Sequence, residues 1–239
     1  MNTSSKTQTV TNSLLICGIL ALLCYAVMDI LAGTQWLGYS FFSQAFSDYS
    51  GIGAPTRSLI LLISPIYTAL VVAFGLGVWQ SARQKISLRI IGTLMVIYAL
   101  VNWVWPQFYP IHLSVTEVSS SDVMHIVLTI VVVLCWLLAL VFGAISSGKW
   151  FRFYSIGTLL IVIIFGALAG FISGATDSSS TIGLSAPWLG VVERINIYIF
   201  MVWMVVLAVG LLLRQRAVHR QSIGNSNIAN LRSEKIAAK

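Results

Sequence analysis

Charge is what this sequence has least of. Asp, Glu, Lys and Arg together make 9% of the 239 residues, where a soluble domain of this size carries about 25%. So little charge cannot solvate a globular surface, and it falls in clusters separated by long uncharged stretches. Acids are scarcer still, seven against fourteen Lys and Arg, for a net charge of +7. The bases sit in short groups between apolar segments, where they set membrane topology, so no nucleic-acid partner is expected. The three cysteines, Cys17, Cys24 and Cys135, all fall inside apolar segments and form no Cys-x-x-Cys. They read as small hydrophobes, without a disulfide. There is no P-loop and no Gly-x-Gly-x-x-Gly turn, and no cofactor is expected. The alternating pattern of a membrane β-barrel is also missing.

What the chain has instead is apolar length. Hydrophobic residues make up 58% of it. A helix needs about 20 apolar residues to cross roughly 30 Å of hydrocarbon. Six such segments stand out: Ser13–Gly33, Ser58–Trp79, Leu88–Pro106, Val123–Ser146, Phe153–Gly174 and Val191–Leu213. Each must be helical, because a lone strand in lipid leaves its backbone groups unpaired. The fold class is therefore an all-α polytopic bundle of six transmembrane helices. Residues 1–12 form a cytoplasmic N-terminal segment and residues 214–239 a basic, unstructured cytoplasmic tail. The first apolar run, Leu14–Ala32, is long enough to span and reads as a retained helix rather than a signal peptide. Gly75-Leu76-Gly77 and Gly166-x-x-x-Gly170 read as close helix packing. Trp36, Trp79, Trp105, Trp150 and Trp188 fall at helix ends, as an interfacial aromatic belt does.

Orientation follows from the bases. With the N-terminus inside, twelve of the fourteen lie on the cytoplasmic side, the exceptions being Arg57 and Arg194. Four acids, Asp48, Glu117, Asp122 and Asp177, fall in or beside outer loops. The positive-inside rule selects this arrangement, in the plasma (inner) membrane with both termini cytoplasmic. The first outer loop, Trp36–Ser50, carries Ser40, Ser43, Gln44 and Ser47 at helical spacing, with Phe42, Phe46 and Tyr49 on another face. That spacing predicts a short outer amphipathic helix, broken before the second span by Gly51, Gly53 and Pro55.

Each helix also serves as a ruler. Asp29 lies about 16 residues into the first span, roughly 24 Å above the inner edge. Glu193 and Arg194 lie about 20 residues before Arg214, at the outer boundary. His125 and Asp122 open the fourth span, Asn102 lies in the outer half of the third, and Arg57 caps the second. The outer third thus collects the ionisable groups and the inner half is nearly empty of them. A proton pathway needs polar groups through the whole thickness, so a polar cavity facing the outer leaflet fits better. Its candidate binding residues are Asp29, Arg57, Asn102, Asp122, His125, Glu193 and Arg194. Asp29 is too short to snorkel, so it needs Arg57, Arg194 or a wet cavity.

Known chemistries match poorly. A zinc site needs three or four converging ligands. His112, Asp122, His125, Asp48 and Glu193 are available, but only two of them are histidines, and no metal is expected. Ser47, His125 and Asp48 are the pieces of a Ser–His–carboxylate site without a Gly-x-Ser-x-Gly elbow. His125 and Asp48 remain the candidate catalytic pair.

Three short motifs carry a family resemblance: Phe42-Ser43-Gln44-Ala45-Phe46-Ser47-Asp48, Met124-His125, and Gly190-Val191-Val192-Glu193-Arg194. Together they resemble the prokaryotic "domain of unknown function 998" membrane proteins over about Ser13 to Leu213. That resemblance implies a six-helix membrane protein and assigns no reaction. A more distant similarity to Frag1-like eukaryotic membrane proteins, associated with lipid and lipid-anchor handling, implies an outer-leaflet site by analogy. The reading expected is binding of a lipid headgroup or small amphiphile, with membrane lipid as the partner and Arg194 as the anion contact. A lipid-modifying hydrolase or transferase at the same place, and a structural or interaction subunit, are the alternatives.

The topology is directly testable. A fluorescent protein fused after Lys239 should fluoresce and alkaline phosphatase fused there should be inactive, with the opposite pair of results for fusions at Ser43.

Overall fold

The computed structural model describes residues 3–113, 119–146, 148–177 and 187–237. Six helices account for most of them: α1 (Thr3–Gln35), α2 (Arg57–Ser81), α3 (Ile86–Phe108), α4 (Ser120–Ser146), α5 (Lys149–Asp177) and α6 (Leu189–Ala237). Each contains a stretch long and apolar enough to cross a membrane, and the protein is a multi-pass membrane protein. Among the described residues the extended pairing is limited to one isolated bridge, Ile52 to His112, which ties the α1–α2 loop to the α3–α4 connection.

The helices outrun the apolar segments. α1 begins ten residues before Ser13, and α6 runs past Leu213 without a break in secondary structure. Polar residues at these extensions bond to neighbouring helices. Thr11 Oγ1 donates to Gln80 Oε1 at 3.0 Å, Gln8 Nε2 to the Gln215 carbonyl at 3.3 Å, and Gln215 Nε2 to Ser81 Oγ at 2.9 Å. Glu117 lies outside the described residues.

Every helix packs on its sequence neighbours, and α6 packs back on α1, so the six close into a ring with α2 touching α6 across it. With an even number of spans, both chain termini lie at one end and the α1–α2 loop at the other, here called the terminal end and the loop end. Aromatic side chains fill the middle. Trp136 stacks on Phe200 at 4.7 Å, Phe200 on Trp203 at 5.7 Å, and Tyr67 and Tyr98 join hydroxyl to hydroxyl at 2.5 Å. Large rings sit where a neighbour is glycine: Phe74 against Gly18 and Trp203 against Gly143.

The glycine motifs divide. Gly75 and Gly77 do carry close packing, against Gly92 of α3 and the Leu14 backbone of α1. Gly166 and Gly170 do not. Nothing lies within 4 Å of a Cβ built at Gly170, and at Gly166 only the Asn196 amide comes near. α5 buries 17% of its apolar window against 44% for α6, so this face of α5 was left open by its neighbours rather than closed by them.

The expected amphipathic helix over 36–50 is mostly a set of turns. Only Phe46–Ser50 winds, as a single 3-10 turn, and its Phe46, Tyr49 and Ser50 are buried. Helical periodicity misled here because Phe46 and Tyr49 turn into the bundle end while Phe42 stays exposed, so the three do not share one face.

The α2–α3 crossing gives a stability test. A Cβ on Gly92 would sit 2.6 Å from the Gly75 carbonyl oxygen and 2.9 Å from the Trp79 nitrogen, both backbone atoms. Gly92→Ala should therefore destabilise by about 1–3 kcal/mol, read as a lowered unfolding midpoint in detergent. Gly157→Ala, where the space is open, should be neutral or slightly stabilising.

Candidate functional site at the loop end

The centre of the loop end is Arg194, the sixth residue of α6 and 9% exposed. A buried guanidinium must find acceptors for its five N–H donors, and here it finds them all within the chain. Nε donates to both carboxylate oxygens of Asp29 at 3.2 and 3.1 Å. Nη2 donates to Asp29 Oδ1 at 3.0 Å, Tyr39 Oη at 2.8 Å and Tyr49 Oη at 3.1 Å. Nη1 donates to three backbone carbonyls, Phe41 at 3.2 Å, Gln44 at 3.0 Å and Gly190 at 3.2 Å. Asp29, 4% exposed, also accepts from Tyr49 at 3.1 Å and Tyr198 at 3.0 Å. Of the two arginines offered by the sequence, Asp29 pairs with Arg194.

The rings of Tyr39, Phe41 and Tyr49 surround the guanidinium at 5.6, 5.0 and 5.7 Å from centroid to Cζ. Their faces add cation–π attraction in a site shielded from water. Burial pushes the Tyr39 phenol up to about 12 against the pull of Arg194, and burial also raises Tyr49. Both stay neutral hydroxyls, which lets each accept from Arg194 and donate onward, Tyr39 to the Gln44 and Ala45 carbonyls and Tyr49 to Asp29.

The neighbouring acids hold the loop itself. Glu193 Oε2 accepts the Phe46 N–H at 2.7 Å, and Asp48 Oδ2 accepts the Ala45 N–H at 2.9 Å. Burial lifts the Asp48 carboxyl to about 6, opposed by that Ala45 bond and by Arg194. The Val191 N–H reaches the Phe42 carbonyl at 3.2 Å. Gly190 is required where it stands, because a Cβ there would collide with the carbonyl oxygens of Phe41 and Gln44. Arg57 donates to the Ser50 carbonyl and Thr56 Oγ1 to the Tyr49 carbonyl at 2.9 Å, closing the far side of the loop. Two motifs about 145 residues apart, Phe42–Asp48 and Gly190–Arg194, are thus the two halves of one latch.

The remaining candidates lie elsewhere. Asp122 is a capping-box acid. Its Oδ2 accepts from Ser119 N at 2.9 Å, and Asp122 N donates to Ser119 Oγ at 3.2 Å, the reciprocal pair that starts a helix. Its Oδ1 accepts from His112 N at 2.9 Å, with His112 Nδ1 at 3.2 Å. Ser119, His112 and Asp122 resemble a catalytic triad by composition only, since Ser119 and Asp122 both meet the same imidazole nitrogen and Ser119 donates to the acid directly. Asn102 Oδ1 sits 3.5 Å from Trp105 Nε1.

His125 is different. It is 8% exposed, its ring meets Trp105 edge-on at 4.5 Å, and its Nδ1 has no hydrogen-bond partner among the described residues. The structure brings it neither Ser47 nor Asp48, whose carboxylate is engaged inside the loop. Among the described residues no three His, Cys, Asp or Glu gather as metal ligands would.

Sequence reasoning missed Tyr39, Tyr49 and Tyr198 as ligands of the ion pair. Only Tyr198 left a signal, being four residues after Arg194 on the same helical face. It also missed Asn196, 7% exposed, whose Oδ1 is buried without a partner. A lone Asn in an apolar span is itself the signal.

The pair predicts a non-additive mutant cycle. Arg194→Met leaves Asp29 buried and uncompensated, and should cost about 3–5 kcal/mol as a lowered unfolding midpoint in detergent. The Asp29→Leu, Arg194→Met double variant should lose less than the two single losses combined. Additive losses would show that the two side chains do not act as a pair.

Comparison with known proteins gives one match. The family model described as "Protein of unknown function (DUF998)" matches residues 19–210. No curated protein and no solved structure matches. The matched span takes in Asp29, the whole latched loop, His125 and Arg194, and on that coverage the chain belongs to the DUF998 family of proteins of unknown function.

Proposed function

We propose that this protein binds a lipid headgroup or small amphiphile taken from the extracytoplasmic leaflet of the plasma membrane, in the polar layer beneath the latched loop. The observation that carries this is His125. Every described charged group of the loop end (Asp29, Asp48, Arg57, Asp122, Glu193 and Arg194) has a hydrogen-bond partner in the chain. The Nδ1 of the His125 imidazole has none among the described residues. A buried polar atom without a partner is destabilising by about 1–3 kcal/mol, so a ligand or water supplies the missing bond. On α4, Val123, Met124, Ile126 and Val127 are exposed on either side of His125, which gives an apolar approach beside the imidazole.

Arg194 serves this reading as the pin of the roof rather than as the anion contact, since all its donors are engaged. That engagement also favours the structural reading, in which the loop end only pairs and caps. An enzymatic reading gains no such support, because general acid–base work needs a carboxylate or nucleophile within reach of the imidazole.

Lipid retention separates the two supported readings. Protein purified in mild detergent should carry lipid visible by native mass spectrometry. His125→Leu should retain about fivefold less or lower, the weight of one buried hydrogen bond, at an unfolding midpoint near that of the parent. Equal retention in His125→Leu sinks the binding proposal and leaves the structural one.

A further inference from the structure

We infer that the ligand reaches this layer sideways between α5 and α6, across Gly166, and that Asn196 recognises an uncharged hydroxyl-bearing end of a long-chain molecule. This rests on the binding reading above and narrows it to a route and a chemical class.

The route comes from the glycines. The loop is bolted to α1 and α6 at Asp29, Glu193 and Arg194, which covers the α1–α6 seam at this end. α5 is the helix least covered by its neighbours. Along Gly166-Ala167-Leu168-Ala169-Gly170 it presents small residues, with open space at Gly170. Such a stripe alone marks no site. Here the buried amide of Asn196 faces it, Nδ2 lying 3.4 Å from the point where a Gly166 Cβ would be. Asn196 Oδ1 has no hydrogen-bond partner among the described residues. Glycine at 166 is thus what leaves the amide within reach from the lipid side, and a larger residue would cover it.

The class comes from charge. The amide turns its Nδ2 donor toward Gly166 and holds an unpartnered Oδ1 acceptor behind it, and a hydroxyl, which both accepts and donates, suits the pair. A phosphate would need a cation, and this side of the ring offers none among the described residues. Arg194 has spent its donors on Asp29, two tyrosines and three carbonyls. Arg57 starts α2, on the Ser50 carbonyl, across the ring from α5. Asn196 also lies two residues deeper in α6 than Arg194, about 3 Å further from the rim. An uncharged alcohol or partial glyceride tolerates that depth; an ionised headgroup is strongly disfavoured there.

The test uses photoactivatable diacylglycerol and photoactivatable phosphatidic acid, each with a diazirine in the acyl chain, and the full chain in vesicles of phosphatidylcholine. The diacylglycerol probe should label peptides around Gly166–Gly170 and Asn196, in competition with unlabelled diacylglycerol. Labelling should fall about fivefold or more in Gly166→Leu and in Asn196→Leu, and be unchanged in Gly157→Leu. Asn196→Leu keeps the size of the side chain and leaves Gly166 open, so it decides the matter if Gly166→Leu fails to fold. Labelling that all three variants retain would mean general lipid contact and overturn the inference. Equal, Asn196-dependent labelling by phosphatidic acid would overturn the uncharged class. Labelling of α3 and α4 beside His125 without α5 or α6 would overturn the route and leave the binding reading standing. Absence of saturable labelling anywhere would remove both.

Discussion

The structure of the loop end depends on one electrostatic constraint: an arginine inside a membrane span must have every donor satisfied by protein. Arg194 lies below the rim of the bundle at 9% exposure, where water is not available to hydrate it. Asp29 neutralises it but accepts only some of its N–H groups. The first turn of α6 supplies one more acceptor, the Gly190 carbonyl, but most helical carbonyls are already bonded to their own chain, and the remaining N–H groups need oxygen atoms from outside the helices. The α1–α2 loop provides them. Its Phe41 and Gln44 carbonyls and its two tyrosine hydroxyls turn inward, and that turning forbids the short amphipathic helix which the spacing of Ser40 to Ser47 suggests. Local periodicity lost to the requirement of one buried charge.

The six spans were legible because lipid imposes a pattern that no tertiary contact can override: a spanning segment must be apolar and helical. The clustering of ionisable groups toward one end was legible for the same reason, since each span is a ruler. Pairing was only partly legible. Asp29 could be told to need an arginine, and depth allowed Arg57 as well as Arg194. The choice was made by the ring closing α6 onto α1, a long-range contact absent from any window of sequence. The capping role of Asp122 was half visible in Ser119-x-x-Asp122, a spacing with a known local meaning. Tyr39 and Tyr49 were not visible, because an aromatic residue near a membrane interface has an ordinary explanation. Gly166 and Gly170 had the spacing of a packing motif and no helix against them. Spacing specifies a smooth face; it does not say what lies on it.

A consequence concerns what kind of ligand such an end can take. Buried ion pairs hold little free energy in reserve, because desolvation offsets most of the attraction. Recruiting Arg194 to an anion would require breaking bonds to Asp29, Tyr39, Tyr49 and three carbonyls, and would strand Asp29. Among the described residues, the polar atoms that carry no such obligation are neutral ones, His125 Nδ1 and Asn196 Oδ1 among them. Charge at this end holds the loop, and the proposed recognition falls to uncharged groups.

That division also explains why the latch joins the helices it does. α1 and α6 are the first and last spans, and their seam is the contact that turns a row of helices into a ring. Apolar side chains alone would let two helices slide in lipid, which offers no hydrophobic penalty for a shifted register. Polar bonds fix the register, and here they occur at both ends of the seam. At the loop end Asp29 meets Arg194 and Tyr198; at the terminal end Gln8 meets the Gln215 carbonyl, and Gln215 in turn reaches Ser81 of α2. With the seam pinned twice, Tyr25 of α1 lies against Tyr198 of α6 at 5.6 Å and against Tyr67 of α2 at 5.7 Å, and the aromatic centre has one way to pack. The open face of α5 then stands out as a different kind of surface, on a helix that neither set of polar bonds holds.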